Sequence, residues 1–252
     1  MTEISGFRRK EVLQRSERVR AGRRFNFAPI KYFLLILIVL YVIYLVFLSP
    51  TFKIKTVEVR GIKSVEISDY IKRSLIGRNI LFLRTGKFLR NLVKEYPVVE
   101  EAAMVRGLPD KVIIKSAERK QATVWCSDQC FEIDIHGYAY QAIERPKDII
   151  ILDDSRRLKV EEGAQVASAD FIAFYLEAID ELDKIGIKVI GGSIDETTFK
   201  LTLQTQDGYK VIMDSSELLK NQVSALDQVL KNNRGDLKEY ADVRVGGVVY
   251  LK

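Results

Sequence analysis

Few residues in this 252-residue chain could do chemistry, and their spacing does not assemble them into a site. His136 is the single histidine, so an acid–base pair or a multi-histidine metal site has no second member to draw on. No G-x-S-x-G, Walker A, H-E-x-x-H or G-x-G-x-x-G pattern occurs. Gly191-Gly192-Ser193 follows a strand pattern, but IDETTFK after it does not open a helix that could hold phosphate. The acidic pairs Asp153-Asp154 and Glu161-Glu162 have no metal-ligand frame and read as solvated loop charge. Cys126 and Cys130 flank Ser-Asp-Gln in VWCSDQCFEI, a spacing that suits a hairpin loop whose flanking positions can meet disulfide geometry. A disulfide and two free thiols both remain open readings. Zinc is disfavoured, because there is no second ligand pair. These residues predict a protein that is not an enzyme, with no cofactor, no metal site and no small-molecule substrate.

The strongest physical signal is apolar. Residues 32–48 (YFLLILIVLYVIYLVFL) carry no charge and no amide, and at about 1.5 Å per helical residue they cover roughly 26 Å, close to a bilayer core. A core helix of a soluble domain would keep a polar stripe. Nine Lys/Arg precede the run in residues 1–31, and two, Lys53 and Lys55, fall in the ten residues after Leu48. The asymmetry predicts a cytoplasmic tail over 1–31, one transmembrane helix over 32–48, and residues 50–252 outside. Ser49-Pro50-Thr51 is not a small-x-small cleavage site, so the segment reads as an uncleaved anchor. The formal charge of +6 is that of the tail, nine basic against three acidic residues. Beside a span, such a tail serves topology and anionic lipid. It lacks the interleaved aromatics of a base-stacking surface, and no nucleic-acid partner is expected.

Beyond the span the pattern predicts an α+β chain in two parts. Residues 52–118 read strand, helix, helix, strand, strand. FKIKTVEV alternates, and Ser68 is a candidate cap for the first helix, which stops at Gly77. Thr85 is a candidate cap for the second helix, ended by Pro97. VEEAAMVR and KVIIKSAE form strands about a Gly107-Leu108-Pro109-Asp110 turn. Residues 119–252 are richer in strands. QATVWC and CFEID pair, Asp134 to Gly137 is a turn before YAYQAI, and IIIL is a short buried strand. Ser168 caps a helix with an apolar stripe from Phe171 to Leu182. FKLTLQT and YKVIMD flank Gln206-Asp207-Gly208, and Ser216 is a candidate cap for a helix apolar at Leu219, Val223, Leu226 and Leu230.

The chain then finishes on YADVRVGGVVYLK, extended, β-branched and low in charge, with nothing after Lys252 expected to cover it. Natural sheets usually blunt an exposed edge, and one left open is a docking place for a partner strand. The predicted partner-binding residues are therefore Arg244, Val245, Gly246, Gly247, Val248, Val249 and Tyr250. A two-residue turn at Gly246-Gly247 would make the ending a hairpin, one strand of which could still be an edge.

The sequence FKIKTVEVRG…ISDYIKRSLIGRNILFL…LVKEYPVVEEAAMVRGLPDKVIIKSAERKQATVW, after a basic tail and one span, resembles the bacterial FtsQ/DivIB cell-division family. The resemblance runs through Leu108-Pro109, VIIKSA, Glu118-Arg119-Lys120 and Trp125, the Asp134–Gly137 turn, and Asp242-Val243-Arg244. The chain departs from the family at Gln121, where proline is usual, and at Val245, where some members carry an aromatic. The resemblance implies a POTRA module over 52–118 and a mixed β-rich domain over 119–252. It also implies a non-enzymatic divisome component of the cell membrane at the septum. Such a component would bind FtsB-like and FtsL-like bitopic proteins through the β-domain and help control septal peptidoglycan synthesis. Two rivals are a POTRA-type secretion or assembly factor, which would need a β-barrel, and a membrane-anchored cell-wall enzyme, which would need a nucleophile with a base or a metal cluster.

Overall fold

The apolar run folds as a single helix, α1, spanning Ala28–Phe47 in a computed structural model that describes residues 28–147, 149–233, 237–245 and 248–252. The basic tail up to residue 27 lies outside the described residues. The helix starts four residues before Tyr32. Pro29 is tolerated there because a first-turn residue needs no N–H partner. From Tyr32 to Tyr44 its large apolar side chains are all exposed. Among the described residues it is the one helix long and apolar enough to cross a membrane, and the protein is a single-pass membrane protein by that helix.

The chain divides into two units, residues 1–52 and 53–252. The second is α+β and contains two sheets. The smaller has the order β1-β3-β2, from Thr56–Arg60, Lys111–Glu118 and Val99–Gly107, with β1 parallel and β2 antiparallel to the central β3. Helices α2 (Val65–Leu75) and α3 (Thr85–Glu95) lie between β1 and β2 in sequence. They bury Ile67, Ile71, Leu75 and Leu92 with Val112 and Ile114 of β3. That is the β-α-α-β-β order the periodicity predicts. The caps differ. Ser64, rather than Ser68, accepts from the Ile67 N–H at 3.5 Å, so α2 begins four residues earlier. At α3 the cap position is Arg84, without a side-chain bond, because the Thr85 hydroxyl is engaged by Arg106 Nη2 at 2.9 Å.

The larger sheet has nine strands in the order β12-β11-β10-β9-β8-β7-β4-β5-β6. At one end stand β4 (Thr123–Cys126), β5 (Cys130–Ile133) and β6 (Ala139–Ile143). The middle is β7 (Ile151–Asp154), β8 (Val189–Ile194), β9 (Lys200–Thr205) and β10 (Lys210–Asp214). Gly191-Gly192-Ser193 lies inside β8 rather than in a loop after it, and Gly192 gives room to the Tyr175 ring, which would stand 2.8 Å from an added Cβ. Helix α4 (Ala169–Lys184) is capped by Ser168, whose Oγ accepts from Phe171 N–H at 3.2 Å. Its Phe171, Tyr175, Ala178 and Leu182 share one core with the sheet and with α5 (Leu219–Asn233). Ser216 does not cap α5. Its N–H and Oγ both donate to Asp214 Oδ1, at 2.8 and 2.6 Å, closing a tight turn before the helix starts. The sheet ends on β11 (Tyr240–Asp242) and β12 (Tyr250–Leu251).

Arg119 ties the two sheets together. Its N–H donates to Val98 O at 2.8 Å, its Nε donates to Pro97 O at 3.0 Å, and its guanidinium pairs with Asp134 and stacks 4.6 Å from the Tyr138 ring centroid. Both charged side chains are nearly out of water, at 11% and 3% exposure. Asp134 also accepts from the N–H groups of His136 and Tyr138, at 3.0 and 2.9 Å, which folds the Asp134–Gly137 turn around the pair.

Candidate functional site

The side chains with chemical potential stay apart. His136 is half-exposed and faces Glu100, 3.7 Å away. Cys126 and Cys130, paired across the β4–β5 hairpin, are joined as a disulfide in the structure. Of the acidic pairs, Asp153 is a surface partner of Arg145, but Asp154 is not solvated loop charge. It is 2% exposed and held at 2.7 and 2.8 Å by the Arg156 guanidinium, an arrangement two residues of sequence do not announce. Among the described residues no three His, Cys, Asp or Glu side chains gather as metal ligands.

The two ends of the large sheet are treated differently. At β6 the outward groups are covered. Ala139 N–H donates to Ala164 O at 2.9 Å, Ala139 O accepts from Gly163 N–H at 2.6 Å, and Ala142 N–H donates to Glu162 Oε1 at 2.9 Å. Glu162, one of the four acidic residues read as loop charge, is thus an edge cover. At the opposite end, no described strand pairs with the outer side of β12.

The bonding pattern of β12 follows from its register. Tyr240 and Lys252 exchange N–H and C=O at 3.1 and 3.0 Å, and Asp242 lies opposite Tyr250. Alternation in an antiparallel ladder therefore turns the peptide groups of Lys252 and Tyr250 inward and those of Leu251 and Val249 outward. The side chains divide as well. Val249 and Leu251 pack on the core, whereas Val248 and Tyr250 are 44% and 56% exposed on the other face. The result is a short edge with free main-chain groups and two apolar side chains at alternate positions.

Of the five described residues among the seven predicted for this edge, Arg244, Val245, Val248, Val249 and Tyr250, only Tyr250 is in a strand. Arg244, Val245, Val248 and Val249 are not in a strand, and β11 and β12 pair antiparallel, so the ending is the hairpin alternative rather than one continuous strand. Val248 N–H donates to Val245 O at 3.0 Å, and Gly246 and Gly247 between them lie outside the described residues. Val245 is exposed. Leu251, which supplies the outward peptide group, is absent from the predicted set although the β-branched run leading into it was a signal. Asp242-Val243-Arg244 sets the bend. Val243 is buried and its N–H reaches Ile212 O at 2.9 Å, while Arg244 Nε and Nη2 clamp the Asp242 carboxylate at 2.9 and 2.7 Å.

That clamp holds the Asp242 carboxyl below its usual range, chiefly through the Arg244 side-chain bonds and against the opposing effect of burial. A depressed folded-state pKa stabilises the hairpin at all pH values above the ordinary aspartate value of about 3.9, and the contribution is lost as pH falls through the lower folded value. The pair is partly solvated, so the effect should stay within about 1 kcal/mol. The Tyr250 amide resonance is expected to titrate with a midpoint below that of free aspartate, and Asp242→Asn should abolish the titration. An unchanged titration in the variant would show that another group controls the hairpin.

No family model matches the sequence. The chain is 28% identical over 207 residues to a protein named Cell division protein FtsQ from Chloroflexus aurantiacus, covering 78% of this chain and 72% of that one. It is 30% identical over 117 residues to Cell division protein DivIB from Clostridium tetani, covering 45% of this chain and 44% of that one.

Proposed function

We propose that this chain, which belongs to the FtsQ/DivIB family of cell-division proteins, is a septal scaffold that binds FtsB-like and FtsL-like bitopic partners and helps control septal peptidoglycan synthesis. A role in cell division and attachment by one membrane helix are the premises. The scaffold works without catalysis. Its tail, residues 1–31, is cytoplasmic and its folded unit is outside the cytoplasm, the reading supported by the nine-to-two distribution of basic residues around the span. Residues 52–118 act as a POTRA module and residues 119–252 as the partner-binding domain.

The observation that carries the reading is the asymmetry of the sheet ends: β6 is covered, and β12 is open. A partner strand laid on β12 would bond to the outward peptide groups of Val249 and Leu251. Its register would be set against Val248 and Tyr250, with Val245 and Arg244 at the hairpin end. Each main-chain bond contributes about 0.5–1.5 kcal/mol net. Val249→Pro removes one outward N–H and fixes φ, so it should weaken partner binding several-fold more than Val249→Ala, which loses the same packing but keeps the donor. Tyr250→Pro removes an inward N–H instead and should damage the hairpin itself. Affinities of the full chain for a reconstituted FtsB-like partner, with melting curves alongside, decide the matter. If a still-folded Val249→Pro chain binds as tightly as Val249→Ala, β12 is not the docking edge.

A further inference from the structure

From Tyr70 to Lys94 the chain holds seven Lys/Arg residues and no Asp or Glu. Lys72 and Arg73 lie near Asp69, but Arg78, Arg84, Lys87, Arg90 and Lys94 have no carboxylate partner among the described residues, and all five are exposed. Three of them, Arg78, Arg84 and Lys87, line a cavity of about 530 Å³ between α2 and α3 together with Tyr70, Phe82 and Phe88. On the connecting loop, Ile76 and Phe82 are each 52% exposed. Cations interleaved with exposed apolar tips are the composition of an interfacial membrane contact, in which the tips enter the acyl boundary and the cations meet lipid phosphate.

Connectivity fixes which surface lies within reach. The same loop is bonded to the residues by which the chain enters the folded unit. Ile54 N–H donates to Arg78 O at 2.9 Å, Gly77 N–H donates to Ile54 O at 2.8 Å, and Lys53 bridges Asn79. Only residues 48–52 separate α1 from Lys53, a chain length of at most about 20 Å. The anion held at highest local concentration beside such a loop is the phospholipid headgroup.

We propose that the loop from Ile76 to Arg84, with Arg78, Arg84 and Lys87 beside Ile76 and Phe82, docks on the anionic surface of the membrane that α1 crosses and thereby restrains the orientation of the folded unit. The contact rests on α1 spanning the bilayer and is independent of the partner edge.

The test uses the full chain in lipid nanodiscs, carrying Phe82→Trp and read by quenching with acyl-brominated lipid. The parent, whose only tryptophan, Trp125, is buried, supplies the baseline. In discs containing phosphatidylglycerol, the added tryptophan should be quenched at least twofold more than in phosphatidylcholine discs. Charge reversal by R78E, R84E and K87E, at positions with no side-chain hydrogen bond or ion pair among the described residues, should return quenching to the phosphatidylcholine level with the melting curve unchanged. The neutral set R78Q, R84Q and K87Q should fall between. Equal quenching in both lipids, or quenching indifferent to reversal, overturns the proposal. So does charge-dependent binding of inorganic polyphosphate without quenching in anionic discs, which would assign the face to a soluble wall polyanion. A chain that fails to enter discs refutes the span as well, whereas an inserted but unquenched chain refutes this contact alone.

Discussion

Replacing Arg119 with alanine is expected to lower the stability of the folded unit by about 3–5 kcal/mol, because it leaves Asp134 as a buried, unpaired carboxylate. The loss has two further parts. Pro97 O forfeits the Nε donor that joins the two sheets, and Tyr138 loses the cation stacked on its ring. Denaturant melts of the parent and the variant measure it. A loss under about 1 kcal/mol would mean that water reaches Asp134 readily and that the pair contributes no more than a surface bridge. Arg119→Met combined with Asp134→Asn removes both charges while keeping an acceptor for the turn, and should recover part of the loss. The two substitutions share one network and are not expected to add.

Gly137→Ala in the same turn is expected to cost distinctly more than Gly208→Ala, although both glycines have positive φ, +77° and +92°. The left-handed conformation alone costs an alanine about 1–2 kcal/mol, and this penalty is common to both sites. The surroundings separate them. A Cβ on Gly137 would stand 2.1 Å from Ala167 O, a backbone atom that cannot swing away, whereas nothing lies within 4 Å at Gly208. Ala167 adjoins the cap of α4, so relief of the clash must move either the turn that holds Asp134 or the start of that helix. Equal melting shifts for the two variants would show that the Ala167 carbonyl yields at little cost.

The elements whose signal is local could be read directly. The span, the β-α-α-β-β order, the hairpin about Gly208 and the stripe of α4 each depend on spacing within one segment, and the structure has them all. Caps were read less well. Ser64 and Ser68 are both short hydroxyls four residues apart in one helical pattern, and Ser216 has Asp214 two residues before it as a competing acceptor. Which hydroxyl finds an N–H three residues on is decided by the approach of the chain, not by composition. Buried carboxylates escaped for a longer-range reason. Asp134 is burial-tolerant only because Arg119 arrives from the far side of a hairpin, and Asp154 only because its turn folds Arg156 back on it. The edge is legible as β-branched residues without cover, and a hairpin ending as one of two readings, but the shortness of its outer strand, Tyr250–Leu251, is not. That shortness depends on β11 lying parallel to β10, a pairing of distant residues.

The order of the nine strands also carries a history of growth. From β8 onward each strand pairs with its predecessor in the chain, in the unbroken series β7-β8-β9-β10-β11-β12. Once β4, β5 and β6 have met β7, every later strand can be laid down on the newest margin as it becomes available, with no need to insert between strands already joined. The free margin therefore passes along the chain, from β9 and β10, whose Leu201, Leu203, Val211 and Met213 are fully buried, to β12, where Tyr250 is exposed and Leu251 half-buried. A partner strand on β12 would be the next term in the same series, added by the rule that places the five from β8 to β12.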